Sequence, residues 1–212
     1  MTHVLILGAG GHVARHVIDR LVNTDSIRLT LYLRDTTRLN DLNTSRMNLI
    51  EGDILDSQKP RTAMQGQDLV YVNINGQEDL IAEQTVMAMQ AAGVKRLVFI
   101  AALGIYDEVP GAFGRWNQRM IGPILERYKK AARLIEASDL VYTILRPTWY
   151  TDTDEIDYTL TQKGEPVTGT EIARKSVADL VVKLIENPRL HVNESLGMEK
   201  PGTKGDKPAF KN

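Results

Sequence analysis

At 212 residues, with 42% hydrophobic and 25% charged side chains, the chain can bury one sizeable core, and a second full domain is not expected. A formal charge of −1 gives no overall attraction to phosphate backbones or anionic lipid, so nucleic acid and membranes are poor primary partners. The lack of cysteine excludes disulfides, thiolate nucleophiles and cysteine-held metals; with no long apolar run, a soluble cytoplasmic protein is expected.

Val4–Leu7 is a short apolar run suited to a buried parallel strand, and Gly8, Gly10 and Gly11 follow it directly. Gly8 allows a sharp reversal, and at Gly10 and Gly11 the missing Cβ atoms would let a pyrophosphate approach the backbone. Val13, Val17, Ile18 and Leu21 recur at helical spacing. A helix therefore starts near His12, with its free amides and positive dipole end facing the phosphates. Ala14 is the third small position, so the pattern reads G-x-x-G-x-x-A at 8, 11 and 14 rather than G-x-G-x-x-G. Its place between a strand and a helix marks a dinucleotide site.

The second strand, Ile27–Leu33, runs into Arg34, Asp35, Thr36, Thr37 and Arg38, which puts two guanidinium groups and two hydroxyls in one short loop. An acid at this point accepts hydrogen bonds from the adenosine ribose, whereas basic groups pair with a 2′-phosphate. Arg34, Thr37 and Arg38 favour NADP(H) over NAD(H), and Asp35 keeps NAD(H) in play.

Further strands are predicted at Asn48–Glu51, Asp68–Asn73, Arg96–Ala102 and Val141–Leu145. Helical patterns cover Ser57–Met64, Leu80–Ala92 and Asn117–Ala137, the last interrupted at Gly122-Pro123. A final helix is predicted from Ser176, as N-cap, to Glu186, with Asn187-Pro188 stopping it. This alternation predicts a Rossmann-type, doubly wound α/β fold: a mostly parallel sheet with helices on both faces. Residues 147–175 show no pattern beyond a strand near Pro166–Ile172 and are expected to form a small C-terminal cap on the substrate side. Residues 1–200 then make one nucleotide-binding domain and 201–212 a tail.

The glycine pattern, LRDTTRL at 33–39, EGDILD at 51–56, GQDLVYVNINGQEDL at 66–80 and YTILRP at 142–147 together resemble the atypical short-chain dehydrogenase/reductase group. That group contains the NmrA-like regulators and the small flavin and biliverdin reductases. The resemblance implies that Arg34 and Arg38 hold a 2′-phosphate and that Asp53 and Ile54 contact the adenine. It also implies that Asn73, Ile74 and Asn75 pass beside the ribose and pyrophosphate, and that Pro147 borders the nicotinamide.

Short-chain dehydrogenases usually pair a serine with a tyrosine and a lysine four residues after it. Here Ala101 or Ala102 stands where the serine would, bordering the cofactor, and Tyr128 is followed four residues later by Ala132. Lys129 and Lys130 are adjacent to Tyr128 instead, so they point to other sides of the helix. Tyr106 and Tyr128 are the remaining candidate catalytic groups. Trp116, Trp149 and Tyr150 offer broad faces for a planar substrate. His12 and His16 share a helix face without a third ligand, so no metal is expected. Asp152, Asp154, Glu155 and Asp157 read as a solvated acidic loop, and the basic residues between Arg115 and Arg133 as a charged helix face. The expected activity is NADP(H)-dependent hydride transfer to a small planar, quinone- or flavin-like acceptor by a monomer or homodimer. The alternative is an NADP(H)-binding redox sensor.

Overall fold

The computed structural model describes residues 1–42 and 47–211. Six of its strands are β1 (Thr2–Leu7), β2 (Ile27–Leu33), β3 (Met47–Glu51), β4 (Leu69–Val72), β5 (Arg96–Ile100) and β6 (Val141–Pro147). They run parallel in the spatial order β3-β2-β1-β4-β5-β6. Beyond them come β7 (Trp149–Thr151), β8 (Thr159–Thr161), β9 (Glu171–Ala173) and β10 (Glu194–Glu199). β10 extends the sheet parallel to β6, β8 adds an antiparallel edge, and β7 and β9 form a separate two-stranded sheet.

Alternate side chains of each central strand feed opposite cores. Val4 and Ile6 pack beneath α1 (His12–Leu21) and α5 (Arg174–Glu186), whereas Leu5 and Leu7 face the other layer. That layer is made of α2 (Lys59–Met64), α3 (Glu78–Ala92) and α4 (Gly111–Glu136). Helices on both faces explain why these strands read as continuous apolar runs. Among the described residues, no helix is long and apolar enough to cross a membrane.

Most predicted boundaries fall within two residues of those observed. Four differ by more. The final helix starts at Arg174 with Ala173 as its N-cap, because β9 leads into it without a loop; Ser176 lies buried in the first turn and its Oγ accepts the Asp157 N–H at 3.0 Å. α4 starts at Gly111, and its break falls at Ile121 (φ −133°), just ahead of Pro123, whose ring crowds the preceding turn. The short strands β7 and β8, and β10, lie where the sequence predicts none, and the strand expected near Pro166–Ile172 is reduced to β9. The segment read as a tail is tied down: Thr170 Oγ1 donates to the Thr203 carbonyl at 2.7 Å and Ala209 N–H to Glu171 at 2.9 Å.

Candidate functional site

The strand order reverses between β1 and β4, and a cleft opens there at the carboxyl ends of the strands. The turn after β1 forms its floor. Gly8 has φ +80° and donates its N–H to the Tyr32 carbonyl at 2.9 Å. A Cβ on Gly8 would overlap the Asn73 carbonyl oxygen, and one on Gly11 would overlap the Asn73 side-chain amide. Glycine at 8 and 11 is therefore needed for β1 and the loop after β4 to approach each other. Gly10 differs: a Cβ there would meet side chains and not backbone, Leu33 Cδ1 at 3.3 Å and Arg38 Cζ at 3.4 Å. The first helical bond of α1 joins Arg15 N–H to the Gly11 carbonyl at 2.9 Å, so the amides of His12, Val13 and Ala14 precede it and are free for an anion.

A cavity of about 350 Å³ runs from this turn between the loops after β2, β3 and β4. Arg34, Asp35 and Arg38 line one end, with Asp53 and Ile54 beside them and Asn73, Ile74, Asn75 and Gly76 opposite. The Asp35 carboxylate accepts the Thr37 N–H at 3.0 Å and the Thr37 hydroxyl at 2.5 Å, capping the short 3-10 turn Thr36–Leu39. Those bonds hold the Asp35 carboxyl below its usual range. Among the described residues, Arg34 and Arg38 have no ion-pair partner within 4 Å, although Arg38 lies near enough to Asp35 to help lower its pKa; both guanidinium groups line the cleft.

Tyr32 and Gly52 are functional neighbours that sequence reasoning missed. The Tyr32 hydroxyl donates to the Asp53 carbonyl at 2.8 Å, and a Cβ on Gly52 would overlap that hydroxyl. The glycine inside EGDILD was the available signal. Burial and the nearby Asp56 and Asp53 push the Tyr32 phenol up to about 12, so it holds the Asp53 backbone as a neutral donor. Glu78 is a second omission. Buried at the start of α3, it accepts the Gly76 N–H at 2.6 Å and Arg127 Nε at 2.7 Å, fixing the loop at Gly76 (φ +89°) and Gln77 (φ +58°).

An adjoining cavity of about 320 Å³ shares Gly11, Arg38 and Asn73–Asn75 and continues to His12, Val13, Ala101, Tyr128, Tyr150 and Arg174. Burial, followed by the Glu78 charge, pushes the Tyr128 phenol up. Ala101 reaches this cavity, whereas Ala102, Pro147 and Thr37 line neither. Tyr106 is not brought to the cleft: its hydroxyl donates to Glu136 at 2.6 Å, with Arg146 and Lys163 against its ring. Trp116 and Trp149 pack on each other with centroids 4.8 Å apart, and Trp149 Nε1 donates to Asn117 at 2.9 Å, so their faces are closed to a ligand in the cleft. Lys129 is paired with Asp107 and Glu126, and Lys130 with Asp79.

Glycines at the floor, free helix amides and two guanidinium groups outside any ion pair together match the anionic, extended shape of a dinucleotide. A family model described as NAD(P)H-binding matches residues 8–188. A Rossmann-fold NAD(P)-binding family protein from Shigella flexneri is 44% identical, with a TM-score of 0.87 and 99% of each chain covered. A short-chain dehydrogenase/reductase from Veillonella parvula, solved in complex with NADP, is 26% identical over 99% of each chain, with a TM-score of 0.92. Protein YmjC of Escherichia coli K12 is 49% identical over 39 residues, which span 18% of this chain and 65% of that protein.

Proposed function

The chain belongs to the NAD(P)H-binding family of Rossmann-fold, short-chain-dehydrogenase-like proteins, and on that premise we propose that it is an NADP(H)-dependent oxidoreductase. Its substrate in this reading is a small planar acceptor of the quinone or flavin type. One observation carries the cofactor choice: Asp35 turns its carboxylate into its own turn, while Arg34 and Arg38 face the cleft unpaired. A 2′-phosphate supplies the missing charge, and a ribose hydroxyl does not. The NADP complex of the Veillonella parvula protein supports the same choice.

When bound, NADPH supplies the hydride. The chain's own groups do the rest. The amides of His12 and Val13 beside the glycine turn would seat the pyrophosphate, with Asn73–Asn75 alongside. Glu78 holds that loop in place through Gly76. Ala101, Tyr128 and Tyr150 wall the adjoining cavity, and would hold a flat acceptor there beside the cofactor.

Calorimetric titration with NADPH and NADH tests the cofactor. Replacing Arg34 and Arg38 together by alanine should weaken NADPH far more than NADH, each charge-assisted contact being worth about 1.5–3 kcal/mol. Equal losses for both would sink the 2′-phosphate assignment. The sensor reading rests on Ala101 in place of a serine and on lysines engaged elsewhere. It takes over if the NADPH-loaded protein turns over no flavin, quinone or aldehyde.

A further inference from the structure

The sequence sets no lysine four residues after a phenol, but the fold brings a cation to one by another route. Tyr150 lies in β7, which pairs in register with β9, Tyr150 opposite Ile172. Two residues beyond Ile172, Arg174 opens α5. The small sheet thereby sets the guanidinium over the Tyr150 ring, with Cζ 5.1 Å from the ring centroid. Both side chains line the same cavity as Ala101 and Tyr128. Asp152, itself exposed, accepts from Arg174 Nη1 at 2.6 Å and fixes the guanidinium from the solvent side. Among the described residues, the Tyr150 hydroxyl has no hydrogen-bond partner, so its proton is free for a ligand.

We propose that Tyr150 is the proton donor to the acceptor and that Arg174 supports it, the pair taking the place of the absent tyrosine and lysine. The proposal rests on the oxidoreductase reading above. As hydride from NADPH forms a C–H bond at one end of the acceptor's conjugated C=O or C=N system, the π electrons move to the far oxygen or nitrogen. The O–H bond of Tyr150 breaks and its proton joins that atom. The electron pair left on the phenolate is stabilised by the guanidinium until water returns a proton. The acceptor gains one hydride and one proton, and NADPH leaves as NADP⁺.

The surroundings of the two cavity phenols differ in the sense the proposal requires. Burial pushes the Tyr150 phenol up, and Arg174 pulls it back. Tyr128 feels the Glu78 carboxylate and the neighbouring Tyr150 as well as burial, and only Arg127 opposes them. Tyr71, fully buried below with an unpartnered hydroxyl, is close enough to Tyr150 to feel its charge and carries none of its own. Arg38 and His12 are the other basic groups on the cavity wall, and no carboxylate lines it.

The full chain is assayed with NADPH and menadione, a planar quinone, as wild type, Tyr150→Phe, Arg174→Gln, Arg174→Lys and Tyr128→Phe. Tyr150→Phe should lower kcat about 100-fold with KM and calorimetric NADPH affinity within about twofold, and the solvent deuterium isotope effect should shrink. Arg174→Gln should lower kcat about tenfold, and Arg174→Lys, which keeps a cation over the ring, should recover part of it. Unchanged Tm values show that the variants fold. A Tyr150→Phe protein that keeps its kcat, or a larger loss in Tyr128→Phe, overturns the role of Tyr150 while leaving the oxidoreductase reading intact. A wild-type protein that binds no NADPH, or reduces no quinone, flavin or aldehyde, overturns both.

Discussion

Single residues in the cleft serve the protein's own packing as well as any ligand. Gly8 combines a left-handed φ with a Cβ direction blocked by the Asn73 carbonyl. Gly8→Ala should therefore destabilise the fold by about 2–5 kcal/mol, the sum of a left-handed penalty and overpacking, read by chemical denaturation. Gly10 stands apart, since a Cβ there would meet only the side chains of Leu33 and Arg38. The glycines were legible because a turn between strand and helix leaves few alternatives. Which glycine meets protein and which meets ligand was not legible, because Asn73 approaches from a strand more than sixty residues away in sequence. Tyr150 was read from the sequence only as an aromatic face, because Arg174 becomes its neighbour only through the pairing of β7 with β9.

At the level of elements, the loop after β5 is held by a fully buried ion pair. Arg146 of β6 meets Glu108, and Glu108 also accepts the N–H groups of Gly104 and Tyr106, each at 2.9 Å. Arg146 further donates to the Ser195 carbonyl at 3.1 Å, so one side chain joins the loop to β10. Glu108→Ala should cost about 3–5 kcal/mol by leaving the guanidinium buried without its counter-charge. The double variant Glu108→Met with Arg146→Met should recover much of that stability in urea unfolding, whereas additive losses would show that the backbone bonds to Glu108 dominate. Elements with apolar runs or clear helical spacing were readable. β10 was not, because Glu194, Ser195 and Gly197 dilute its pattern and its burial comes from β6 and α5. The first turns of α4 were masked by Gly111 and Gly114, and their register is set by Trp116, Phe113 and Leu103 packing on one another.

Across the whole molecule, α1 and α5 are fastened to each other at one carboxylate. Asp179 accepts from Arg20 at 2.8 Å and from Tyr158 at 2.9 Å and pairs with Lys183 at 2.7 Å. Burial alone would raise the Asp179 pKa, but the bonds from Lys183, Arg20 and Tyr158 outweigh it and hold the carboxyl below 3.8. A depressed folded-state pKa means that its contribution is fully present above 3.8 and is lost as pH falls through the lower folded value. Asp179→Asn should lower stability by about 1–3 kcal/mol at pH 7, with the gap to wild type closing in acid, as denaturation series at the two pH values would record. A gap independent of pH would assign the effect to packing. The same pair of helices has a geometric consequence. One begins at His12 and the other at Arg174, and both residues line the cavity of about 320 Å³, so the contact between the two helices also sets the spacing of two walls of that cavity.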